Sequence, residues 1–166
     1  MKSVSEGGTR RARSLLAFGS VALMALVLAL AAMIGPVEPE VAVEGCLALV
    51  AIAGIFHGLV RFGASARFPD ADFVAAQLAA IFVLLAWLTY RSGDSAAAMP
   101  VLYLVAMLYG MLQLDRTRLA TLAIVAVVTH GTALFMLIDQ GRGVDLAAAW
   151  TQFGALLLAF AWFTYA

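Results

Sequence analysis

Apolar residues run through this chain in long unbroken stretches, and polar positions fall between the stretches rather than alternating within them. Coiled as α-helix at about 1.5 Å per residue, a stretch of about 18–20 residues matches the hydrocarbon thickness of a bilayer. Six such stretches are legible, at about 15–34, 41–60, 73–90, 96–114, 119–138 and 146–165. The pattern predicts an all-α fold, an integral membrane bundle of six transmembrane helices over 15–166 with a basic tail over 1–14. Small residues recur at helical spacing, as in Ala25, Ala29 and Ala32 and in Ala76 and Ala80, which suits close helix packing.

The tail carries Lys2, Arg10, Arg11 and Arg13 with little apolar surface to bury, so it is expected to be mobile and cytoplasmic. A basic leader before an apolar run that ends near Ala29-Leu30-Ala31 also fits a secretory signal. That reading is the weaker one, because a run of about 20 residues exceeds the usual 7–15 or so of a signal core. The Arg10-Arg11 pair as a twin-arginine export signal fails for the same reason.

The polar punctuation then sets the order of the bundle. Gly35-Pro36-Val37-Glu38-Pro39-Glu40 is a turn with carboxylates and no cation. Arg61-Phe62-Gly63-Ala64-Ser65-Ala66-Arg67-Phe68-Pro69-Asp70-Ala71-Asp72 is the most polar internal stretch, a joint whose arginines suit an anionic leaflet and whose Asp70 and Asp72 suit a helix cap. Arg91-Ser92-Gly93-Asp94-Ser95 is a tight turn behind the interface anchors Trp87 and Tyr90. Asp115-Arg116-Thr117-Arg118 is the shortest connection, so the fourth and fifth spans are expected as antiparallel neighbours. Within the second span, Gly54-x-x-x-Gly58 allows two backbones to approach closely, and is read as a packing face inside the bundle with a dimer contact as the alternative.

Once the spans are drawn, the cations sort to one side. Lys2, Arg10, Arg11, Arg13, Arg61, Arg67, Arg116 and Arg118 share one face of the membrane against Arg91 and Arg142 on the other. Both termini are therefore expected in the cytoplasm. The formal net charge of zero hides this asymmetry. With 64% hydrophobic and 12% charged residues and a mean hydropathy of +1.01, the chain is far from the roughly 25% charged content of soluble domains. No basic face suits nucleic acid. Cys46, the single cysteine, excludes an intramolecular disulfide and a thiolate cluster and reads as a small core residue.

Polar groups at membrane depth are costly, which makes His57 and His130 candidates for ligand contact or signal transmission. His57 lies one turn before Arg61 and suits a hydrated position or a bond to a carbonyl. His130 lies near the middle of the fifth span, where a neutral imidazole needs a partner in the bundle, and is expected as a satisfied core histidine. Two histidines also raise bis-imidazole haem ligation. Their depths differ by roughly 10 Å along the membrane normal, so no haem is expected. A free-standing b-haem redox or transport protein is the alternative class, although a transporter would want broken helices and more midplane charge. The chain contains no G-x-S-x-G, P-loop, H-E-x-x-H or paired carboxylates on a helix face, so neither a metal, another cofactor nor enzymatic activity is expected of it.

From the joint onward the sequence resembles the six-span N-terminal membrane region, a MASE-like sensor region, of bacterial GGDEF diguanylate cyclases. The family joint reads approximately R-x-G-x-N-x-R-F-x-D-P-S-x-T-x-x-Q, matched here by Arg61, Gly63, Arg67, Phe68, Asp70 and Gln77. Ser65 stands where that pattern has Asn, and Ala71, Asp72 and Val74 where it has Pro, Ser and Thr. Further likeness lies at Tyr103, Tyr109-Gly110, Thr117-Arg118, Val144-Asp145-Leu146, Gln152 and Trp162-Phe163, while His130 falls where relatives tend to have Tyr. The resemblance implies a sensory or anchoring domain in the bacterial inner membrane that regulates a C-terminal cyclase making cyclic-di-GMP. It also implies a parallel homodimer, because two cyclase half-sites must meet, with the sixth span as the output rod. The chain stops at Ala166, where such relatives continue into the cyclase, so it is expected to be an excised membrane domain or a truncated relative. The short outer connections leave the bilayer itself and a small or lipidic ligand as the expected partners.

Overall fold

The computed structural model describes residues 3–35, 37–62, 70–93, 99–141 and 145–165, with side chains from Gly19 onward except that of Asp70. Every regular element among them is helical: α1 (Ser3–Ile34), α2 (Pro39–Arg61), α3 (Asp70–Ser92), α4 (Met99–Gln113), α5 (Arg116–Asp139) and α6 (Leu146–Tyr165). The helix starts follow from local chemistry. Pro39 opens α2, where a missing N–H costs nothing, and the Asp115 carboxylate accepts from the Arg118 backbone N–H at 2.9 Å to cap α5. Asp145 does the same for α6, accepting from the Ala147 N–H at 2.9 Å. Gly141, just past the end of α5, takes the left-handed conformation that ends a helix (φ 62°).

The helices pack as a grid of two rows. One row is α1, α4 and α6, the other is α2, α3 and α5, and each helix packs on its neighbour in the facing row. The central pair α3 and α4 thus carries two flanks, α1–α2 on one side and α5–α6 on the other. The core runs through all six helices, from Met24 and Leu28 through Leu49, Phe82, Leu85 and Tyr103 to Leu122 and Phe160.

Four helices, Pro39–Arg61, Ala71–Ser92, Arg116–Asp139 and Leu146–Tyr165, are long and apolar enough to cross a membrane. The other two are shorter as apolar helices among the described residues, Gly19–Ile34 and Met99–Gln113. At 15 residues, α4 spans about 22 Å against a hydrocarbon core of about 30 Å, and the N-terminal end of the span read at 96–114 lies outside the described residues. Conversely, α1 begins at Ser3 and continues N-terminally past the span read from Leu15. Large apolar side chains cover the outer surface, among them Leu47, Val50 and Ile55 on α2, Phe135 on α5 and Leu158 on α6. In water such a continuous apolar surface would drive association; against lipid tails it is the ordinary exterior.

Two packing expectations change. The Gly54 and Gly58 pair does not form an internal packing face: a Cβ added at either would meet nothing within 4 Å. The close backbone approach is made one turn and more earlier, at Gly45, where an added Cβ would lie 2.5 Å from Leu28 Cδ2 and 3.0 Å from Leu88 Cδ1. The difference is rotational. Gly45 is on the side of α2 that carries Val41, Ala42 and Leu49 into the core, and Gly54 and Gly58 are on the side turned away. Likewise Asp72 is not a helix cap: its carboxylate accepts from Arg118 Nε at 2.8 Å, joining the start of α3 to the start of α5.

Candidate functional site

Thr89 and His130, two of the polar residues buried in the bundle, meet the Tyr103 hydroxyl and ring where α3, α4, α5 and α6 come together. Tyr103 of α4 is fully buried, and its hydroxyl donates to the Phe82 carbonyl at 3.4 Å, with the Thr89 and Thr129 side chains beside it. Both threonines return their hydroxyl protons to their own helices, Thr89 to the Leu85 carbonyl at 2.8 Å and Thr129 to the Val125 carbonyl at 2.8 Å. Such back-bonding satisfies a hydroxyl without a tertiary partner.

His130 follows Thr129 and is 1% exposed, yet neither Nδ1 nor Nε2 has a hydrogen-bond partner among the described residues. The expectation of a buried histidine inside the bundle holds, and the expectation of a satisfied one does not. What surrounds it instead is aromatic. The Tyr103 ring meets the imidazole edge-on at 5.0 Å between centroids, and Phe153 of α6 stacks on it at 6.3 Å and 17°. The rings continue in both directions: Phe82 stacks on Tyr103 at 5.6 Å, Phe160 lies 6.5 Å from Phe82, and Trp150 meets Phe153 edge-on at 6.1 Å. A row of six aromatic side chains thereby runs from the core to the outward surface of α6.

Behind Phe153, on the side away from the core, is a cleft of about 90 Å³ between α5 and α6, lined by Gly131, Leu134, Phe135, Ile138, Ala149, Trp150 and Phe153. Phe153 belongs both to this wall and to the histidine's surroundings. Phe153 lies over Gly131, where an added Cβ would be in ordinary contact with its Cε2 at 3.4 Å. A neutral imidazole offers one donor and one acceptor nitrogen, so the arrangement can recognise a carbonyl or a hydroxyl carried on an apolar body.

The remaining candidates are dispersed. His57 is exposed on α2 and Arg61 is exposed at its end, and α2 does not pack against α5, so the two histidines are far apart in the grid. Gly63, Arg67 and Phe68 lie outside the described residues, as does the side chain of Asp70, whose backbone opens α3. Gln77 is buried in α3. It is about 10 Å from the start of that helix, whereas His130 is about 21 Å along α5 from the same end. Among the described residues no group of three or more His, Cys, Asp or Glu side chains could hold a metal. Cys46 donates to the Ala25 carbonyl at 3.6 Å, the packing role expected of it.

Two polar clusters mark the ends of the bundle. At one end Arg118 binds Asp72 (Nη2 to Oδ1, 2.8 Å) and Asp115 together. The backbone N–H of Arg118 is the leading cause of the Asp115 carboxyl lying below its ordinary range. At the other end Arg91 pairs with Glu44 at 3.4 Å and lies 5.9 Å over the Trp87 ring, and the Tyr90 hydroxyl pairs with the Gln140 side chain at 3.0 Å. The Asp115–Arg118 contact is local, within three residues. Nothing in the sequence signals Asp72 with Arg118 or Phe153 with His130, since each pair joins distant helices.

Comparison of the chain with protein-family models, with curated proteins and with solved structures yields no match.

Proposed function

We propose that the chain is the membrane-embedded sensory or anchoring domain of a bacterial signalling protein, crossing the inner membrane six times with both termini in the cytoplasm and regulating a C-terminal diguanylate cyclase. The observation that carries this reading is the separation of polar clusters to the two ends of an otherwise apolar grid. Glu44, Arg91, Tyr90 and Gln140 meet at one end; Asp72, Asp115 and Arg118 meet at the other. That is the arrangement of helices that traverse a bilayer in alternation. The cations Arg61, Arg116 and Arg118 share the second end, which makes it the cytoplasmic one by the positive-inside rule. The cyclase itself rests on the likeness of the joint to that family, and the parallel homodimer follows from the requirement for two facing half-sites. Gly154 on α6, where an added Cβ would meet nothing within 4 Å, leaves the outer face of the last helix open to a second copy.

The test has two arms. In a Cys46→Ala background, an impermeant thiol reagent added outside is expected to label Glu40→Cys and not Thr117→Cys; equal labelling rejects the orientation. Residues 1–166 joined to a cyclase domain are then expected to change nucleotide output several-fold with Arg67→Ala, Gly154→Leu or one-residue insertions after Ala166. Output indifferent to all three reduces the domain to a passive anchor.

A further inference from the structure

Besides lying against lipid, the flank formed by α5 and α6 presents an unfilled polar requirement next to an apolar opening. We propose that the α5–α6 cleft binds a lipid-phase quinone, with His130 as its hydrogen-bonding partner. The inference rests on the reading of the chain as a membrane domain, and is independent of any cyclase.

Three observations converge. First, His130 is buried with both ring nitrogens unpaired, whereas the hydroxyls around it are satisfied by backbone carbonyls. In hydrocarbon an unpaired polar group costs free energy that water cannot relieve, so a ligand that pairs it gains that amount on binding. Second, the cleft is separated from this imidazole by one ring: Phe153 stacks on His130 at 6.3 Å and lines the cleft, and Gly131, the next residue of α5, lines it too. Third, the cleft is about 90 Å³, below the roughly 150 Å³ that admits a benzene ring, so a flat ring enters only if the Phe153 ring turns out. Turning it out uncovers the imidazole. A flat ring then takes the place that Phe153 held, stacked on His130 and near Trp150.

The chemistry selects the ligand class. The cleft walls supply no hydrogen-bonding side chain except the indole N–H of Trp150 at the rim, which excludes sugars, phosphates and charged head groups from its depth. A ring carrying a carbonyl suits an imidazole N–H donor, and the corresponding hydroxyl of the reduced ring suits the bare nitrogen, so both redox forms have a partner in one residue. An alkyl tail would run out between α5 and α6 along Leu134, Phe135 and Ile138 into the lipid. No electron transfer is invoked; the site binds and discriminates.

The experiment uses the purified 166-residue chain in detergent with Trp87→Phe and Trp162→Phe, leaving Trp150 as the only indole. Titration with a short-chain alkyl benzoquinone is expected to quench Trp150 fluorescence saturably. His130→Phe keeps the ring contacts and is expected to weaken binding about tenfold, the value of one hydrogen bond to a buried group. Gly131→Leu fills the cleft while leaving His130 in place, and is expected to abolish saturable quenching. An alkylbenzene of the same chain length without oxygens, offered as competitor, is expected to compete at least about tenfold more weakly. Quenching that does not saturate, equal affinity in His130→Phe, or equal competition by the alkylbenzene overturns the proposal. If either variant loses its helical circular dichroism, the competition on the parent chain decides. Because the readout is ligand binding and not nucleotide synthesis, failure here leaves the cyclase proposal standing, and failure of the fusion leaves the binding result intact.

Discussion

The two flanks of the grid lie against the same central helices and are packed by opposite means. Between α1, α2 and α3 the contact is close and mainly aliphatic, with one edge-on ring pair, Phe56 and Phe73, toward one end: Gly45 admits Leu28 and Leu88 onto the α2 backbone, Leu49 is fully buried, and the Cys46 thiol finds the Ala25 carbonyl. Between α4, α5 and α6 the contact is made by large rings around His130, with a cleft left open beside them. In a bilayer no hydrophobic driving force distinguishes helix from lipid, so packing and hydrogen bonding hold the bundle together. The first flank maximises packing. The second gives some of it up in exchange for a polar group and a space, the usual signature of a region selected for something besides stability.

The sharpest way to break this contrast is to overfill the tight flank. Gly45→Leu has no room on Leu28 and Leu88 and is expected to cost about 3 kcal/mol, the upper part of the range for overpacked cores. Gly54→Leu, on the open side of the same helix, is expected to stay within about 0.5 kcal/mol. Thermal unfolding of both variants in one detergent checks the pair, and a comparable loss at Gly54 would mean that the outer face of α2 is covered in the native protein.

A smaller effect of opposite sign is expected on the other flank. His130→Phe removes two unpaired nitrogens and retains the ring contacts, so it is expected to stabilise the fold by about 1–2 kcal/mol. A loss of stability would show that the imidazole is satisfied in the membrane, and would make the two flanks more alike than they look.

The smallest effect lies at the end of the bundle where the start of α5 is tied to α3. Asp72→Asn and Arg118→Gln remove exposed ion pairs, so each is expected to lower stability by less than either core substitution, and less still at high salt. The pH dependence has a defined sign. The Asp115 carboxyl is held below its ordinary value in the folded chain, so its contribution is complete above the unfolded carboxylate value of about 3.9 and is lost as pH falls through the lower folded value. Melting curves between neutral and strongly acidic pH read this directly; Asp115→Ala should flatten the acid limb, and Arg118→Gln, which keeps the capping backbone N–H, should flatten it only in part.

How much was legible depends on the range of the interaction. Hydrophobic run length specifies helices, because each backbone hydrogen bond closes within four residues, and it specifies their apolar exterior, because lipid is the same on all sides. The caps at Asp115 and Asp145 and the helix start at Pro39 are contacts within three residues, but their short polar segments read first as connections, and the structure showed them as caps. The sequence also singled out His130 as a polar residue at depth, from position alone. It did not show that both nitrogens are unpaired, which depends on what α4 and α6 bring to it, nor that Gly45 and not Gly54 is the residue of close approach, which depends on how α2 is rotated about its axis. Rotation and neighbours are decided by packing across the grid, where Leu28, Leu88, Tyr103 and Phe153 come from helices that no sequence spacing connects. What the sequence determined by itself is therefore the set of apolar helices and their order. Which faces meet, which glycine is filled and which histidine is left facing an opening came only from the tertiary structure, because apolar helices are interchangeable to lipid and become distinct only where side chains interlock.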